Sequence, residues 1–157
     1  MTRHTERAVV SGRRALAAVE AALRHAESIA TKVAVVVVDR TGAPAAGCRD
    51  EDALPATSDL ALAKARAAAG FGRPSESLAA AVQPGAPYFG LPAAVAAPIA
   101  TFAGGLPLLV GGYCFGAVGV SGGTGEQDAE IAEAAVSAYL TAAADAPPVP
   151  HTTSPNA

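Results

Sequence analysis

Tryptophan is absent from these 157 residues, methionine occurs once, and aromatic side chains make up only 4% of the chain. The 51% hydrophobic share is therefore carried mostly by alanine and valine. A core of such residues works through close approach of backbones rather than through bulky side chains. An excess of positive charge is missing as well. With 11 Lys and Arg against 14 Asp and Glu, the net charge is −3. No basic field exists to attract nucleic acid or an anionic membrane surface, so neither is expected as a partner. No apolar run approaches the ~18 residues of a membrane-crossing helix. The opening MTRHTERAVVSGRRALAAVE carries charge but no apolar stretch of the signal-peptide kind. Two cysteines, Cys48 and Cys114, make no disulfide framework and fit a cytoplasmic setting.

What is present reads as one domain over residues 8–143, between a flexible segment 1–7 and a disordered proline-rich tail 144–157. Residues 8–30 have helical spacing, with Leu16, Val19, Leu23 and Ala26 or Ala30 as the core stripe. The β-branched run VAVVVVD (33–39) predicts a buried strand, and DRTG turns it into a hairpin with PAAGCR (44–49). Ser58 and Asp59 suit the start of a helix over 59–70 that ends at Gly70. RPSESLAAAV (73–82) reads as a second, short helix. Four prolines between Gln83 and Pro98 predict a long surface loop, a place where ligands are often bound. LPLLV-GG-YCFGAVGVS (106–121) has the punctuation of a second hairpin. The final helix runs to about Ala143 from Thr124-Gly125-Glu126-Gln127, a capping-box sequence. Strands confined to hairpins, with helices between them, predict an α+β fold on an antiparallel sheet.

The stretch GVSGGTGEQD (119–128) raises two possibilities. Its glycines could leave bare N–H groups of Ser121, Gly122, Gly123 and Thr124 at a helix N-terminus, a site for a carboxylate, phosphate or enolate oxygen. Alternatively Thr124 and Gln127 satisfy those donors themselves and nothing binds.

Three segments together resemble the GlcG/HbpS-like family, which includes the PduO C-terminal domain. They are VVVVDRTGAP after an alanine-rich helix, CRDEDALPATSDLALAKARAAAGFGRPSESL, and GGLPLLVGGYCFGAVGVSGGTGEQDAEIA. The match covers roughly residues 12–143. It implies a profilin-like sheet of about five antiparallel strands flanked by helices, assembly into homo-oligomers, and a small-ligand role with haem or a related tetrapyrrole as a cofactor. The chain departs from the pattern at Asp50-Glu51-Asp52, where the family often has Met-Asp-Gly, and in lacking a matching haem-ligand histidine near the first helix.

Arg49 and Lys64 match basic family positions and are candidates to hold a ligand carboxylate, or else to pair with Glu51 or Asp59. Lys64 lies off the Leu62/Ala65/Ala69 stripe and need not be buried. His25, about 200° from Leu23 around its helix, and His4 are the candidate iron ligands, with a solvated surface histidine as the plainer reading of His25. Asp50, Glu51 and Asp52 read as a solvated loop rather than a metal site. Tyr88 and Phe89 on the proline-rich loop could close over a flat ligand or plug an oligomer interface. Cys114 has no neighbouring base to activate it. The first functional reading is a binding protein for haem, a tetrapyrrole or another planar carboxylate-bearing molecule. The second is a cofactor-independent isomerase, cyclase or lyase, with an amide oxyanion site and Tyr88, Glu126 and Asp128 handling protons.

Overall fold

The computed structural model of the chain describes residues 9–144. The expectations for residues 1–7, including His4, and for the tail beyond Ala144 lie outside the described residues. The element order is α1 (Gly12–Ser28), β1 (Ala34–Asp39), β2 (Pro44–Arg49), α2 (Thr57–Phe71), a 3-10 segment (Ser75–Val82), α3 (Leu91–Ala94), β3 (Gly105–Val110), β4 (Tyr113–Ser121) and α4 (Gly125–Ala144). Two antiparallel hairpins join through β1 and β4 into one sheet of order β2-β1-β4-β3.

Successive strand residues point to opposite faces, so the valine run of β1 feeds two cores at once. Val33, Val35 and Val37 pack with α1 and α4, whereas Ala34, Val36 and Val38 pack with Ala61, Ala65 and Ala68 of α2. The result is three layers: α1 beside α4, the sheet, then α2. Small residues set the spacing. A Cβ on Gly119 of β4 would run into the backbone carbonyl of Ala61, so α2 lies directly on the strand.

The sheet has four described strands, where the family resemblance suggested about five. The stretch between Gln83 and Gly104 carries Pro84, Pro87, Pro92 and Pro98, which lack the N–H a ladder needs, and it contributes only the four-residue α3. The core stripe of α1 is also rotated from the expected one. Ala15, Ala18, Ala22 and Ala26 are buried with Val19, while Leu16 is 63% exposed. Alanines let α1 approach α4 closely, and the longer leucine is left at the margin. Helix α2 begins at Thr57 without a side-chain cap and ends at Gly72, whose φ of 65° supplies the left-handed cap expected of Gly70.

Candidate functional site

The final helix opens on a closed capping box. The Gln127 amide donates to Thr124 Oγ1 at 3.2 Å, and the Thr124 amide donates to Gln127 Oε1 at 3.0 Å. The Gly123 amide donates to Asp128 Oδ1 at 2.8 Å. Ser121, at the end of β4, is buried. The glycines answer to packing. Gly122 has φ 144°, and a Cβ there would strike the carbonyl of Lys32. The donors at Gly123 and Thr124 are therefore taken by the chain itself.

Beneath this cap sits the most deeply buried charge pair of the described residues. Lys64 Nζ is 2.7 Å from Asp128 Oδ2 and donates also to the Val120 carbonyl at 2.9 Å. The two residues are 1% and 3% exposed. The Phe102 ring lies over the ammonium, 5.1 Å from Nζ to its centroid. Lys64 was expected to need no burial, because helical spacing places it off the apolar stripe. In the structure α2 is covered on more than one side: the Ala100 amide bonds the Ala63 carbonyl, and Gly105 lies against the Lys64 carbonyl. Its charge is consequently met by Asp128, neither by Glu51 nor by Asp59. A proton-transfer role for Asp128 would require this pair to open.

Two open hollows flank the cap. One, of about 620 Å³, is lined by Thr124, Gly125, Glu126 and Ala129 with Glu76 and Ala103. Its two glutamates oppose an anion. The other, of about 480 Å³, lies against Gly122, Gly123 and Gln127, with Lys32, Asp52 and Leu54 opposite. Lys32 is bound to Asp50 at 3.3 Å, and that hydrogen bond is the main reason its pKa is raised. The Asp50 carboxyl is held below its ordinary value, chiefly by the Asp52 amide. Asp50 thus organises its own turn, and no cluster of three metal-ligating side chains occurs among the described residues.

Arg49 borders a separate groove of about 340 Å³ between β2 and the first turns of α2. Ala34, Val36, Ala61 and Leu62 give it apolar walls, and Cys48 and Asp59 also line it. Arg49 is anchored by donation to the Ala53 carbonyl at 2.6 Å. Cys48 pairs with Val35, which packs toward α1 and α4, so its thiol lies on the other face of the sheet from this groove. His25 lies elsewhere, on the α1 side of the sheet. Its Nε2 is 2.7 Å from Glu130 Oε1, so the half-buried ring bridges α1 and α4 instead of standing free in solvent. Tyr88 and Phe89 are exposed and line neither hollow beside the cap.

A family model described as haem degrading protein HbpS-like matches residues 10–137. The chain belongs to this HbpS-like family. The corrinoid adenosyltransferase PduO of Citrobacter freundii is 39% identical over 118 residues, which is 75% of this chain and 35% of PduO. The HbpS-like chain thus spans about a third of that relative's length. Among solved structures, Klebsiella pneumoniae protein ORFY superposes with a TM-score of 0.81 at 31% identity, over 89% of this chain and 97% of its own. The PduOC:heme complex gives a TM-score of 0.78 at 34% identity, over 83% of this chain and 95% of that one. The α+β fold with an antiparallel sheet is the fold of these HbpS-like neighbours. No described helix is long and apolar enough to cross a membrane.

Proposed function

We propose that this HbpS-like protein binds haem, a related tetrapyrrole or another planar carboxylate-bearing molecule, and does so as a homo-oligomer. The observation that carries this reading is the likeness to the PduOC:heme complex over 83% of the chain. The β2–α2 groove fits the chemistry of such a ligand. Its apolar walls suit a flat ring, and Arg49, paired with Ala34 on the α2 face of the sheet, is a cation for a carboxylate. A volume of 340 Å³ is at the small end for a ligand pocket, so part of a tetrapyrrole would extend past the groove. The mostly exposed edge strand β2 offers a second copy a place to cover it. Haem, when bound, would supply iron chemistry; the chain's own residues would hold the ring and its carboxylates.

The test is a haem titration followed at the Soret band, with Arg49→Ala and His25→Ala in parallel. Arg49→Ala should weaken binding about tenfold or more, as loss of a charged hydrogen bond does. His25→Ala should change the band position if iron binds on the α1 side. An unaltered spectrum with the wild-type chain removes the haem reading.

A further inference from the structure

A second cleft, remote from the Arg49 groove, lies between the β1–β2 turn, the last turns of α2 and residues 95–99. It holds about 320 Å³ and is lined by Arg40 and Arg66 together with Phe71, Val95 and Ile99. Two guanidiniums on one hollow run against the net negative sign of the chain. Neither has a carboxylate within 4.0 Å among the described residues, where every ion pair is made by other side chains. Arg40 instead lies 5.4 Å from the centroid of the Tyr113 ring. Arg66 is half-buried and donates through Nε to the Gly42 carbonyl at 3.3 Å. Its stem crosses Gly42 so closely that a Cβ there would stand 3.0 Å from Arg66 Cγ, and the φ of +83° also requires glycine. The turn therefore orients this guanidinium through Nε while its terminal nitrogens keep their donors.

The acid nearest in sequence does not answer these cations. Asp39 Oδ1 accepts from the Thr41 amide at 2.8 Å, the Thr41 hydroxyl at 2.6 Å and the Ala43 amide at 3.1 Å. The apolar part of the lining, Phe71, Val95 and Ile99, has no charge to offer. A pocket with an oriented cationic end and an apolar wall selects an amphipathic anion, and guanidinium matches carboxylate in bidentate fashion. We propose that this cleft binds a small organic carboxylate with a short apolar body. The proposal is independent of the haem reading, because it uses no residue of the Arg49 groove and no iron.

Two-dimensional amide NMR of the full chain tests it, with hexanoate, hexanamide and acetate as probes added to about 10 mM. Hexanoate should shift the amide signals of Gly42 and Gly70, which line the cleft. Hexanamide, lacking the charge, and acetate, lacking the body, should each bind at least about tenfold more weakly. Arg66→Gln should weaken hexanoate by about the same factor. Because Arg66 also rests on the turn, the exposed Arg40→Gln is the second variant, and it too should weaken hexanoate. Arg49→Ala should leave the hexanoate-induced shifts of Gly42 and Gly70 unchanged. Equal shifts with hexanoate and hexanamide, equal affinity for acetate, insensitivity to both arginine variants, or no saturable shift at all would overturn the proposal.

Discussion

Replacing Lys64 by methionine keeps the stem and removes the charge, leaving Asp128 buried with only the Gly123 amide as partner. At 1% and 3% exposure, neither member of this pair can recover water without local opening. Breaking such a pair from one side costs about 3–5 kcal/mol, because the survivor is an uncompensated charge in a poor dielectric. For a chain of this size, 1 kcal/mol moves Tm by about 2–4 °C, so the loss should be roughly 6–20 °C. Asp128→Asn should be comparably harmful: it retains an acceptor for Gly123 but strands the ammonium beneath Phe102. The double variant restores neutrality, so it should be less damaging than the two losses added, by about 0.5–3 kcal/mol. Urea unfolding of the four proteins, with the slope m compared across them, measures this. A Lys64→Met loss below about 1 kcal/mol, or strictly additive single effects, would refute the view that the pair holds α2 to α4.

Two glycines should respond in opposite directions. Gly119→Ala should destabilise by about 1–3 kcal/mol or more, since α2 would have to lift off β4, whereas Gly70→Ala, with open space around its Cβ, should stabilise by about 0.5–1 kcal/mol; thermal denaturation reads both. Tyr139→Phe removes the hydroxyl that accepts the Ser11 amide at 2.9 Å, and should lower stability by about 1 kcal/mol with α1 fraying first in hydrogen exchange. Asp39 has a carboxyl lowered from its ordinary 3.8, chiefly by the Thr41 hydroxyl. Its contribution is thus present above 3.8 and is lost as pH falls through the lower folded value. Acid titration of stability should show the wild-type advantage over Asp39→Asn shrinking below 3.8, and a pH-independent difference would contradict this.

Much of the fold could be read in one dimension because it rests on local rules. The valine run, the DRTG turn and the Gly111-Gly112 pair place both hairpins, and Thr124 with Gln127 forms the cap its spacing announced. The site was less legible. Helical spacing marks one apolar stripe, but α2 is enclosed both by the sheet and by residues 100–105, and a segment arriving from 40 residues away leaves no mark on the periodicity of the helix. The same holds for His25: its angle from Leu23 points away from the sheet, yet α4 lies there with Glu130.

The sequence by itself determined the element types and their order, the α+β class and the family, because φ preferences, side-chain period and turn chemistry act between neighbours along the chain. Only the tertiary structure decided which charges are silenced and which are left to meet a ligand. Lys64 and Asp128, 64 positions apart, neutralise each other in the interior, while Arg40 and Arg66 share a hollow with no acid to answer them. Charge pairing depends on distance through space, and that distance is fixed by packing the layers together.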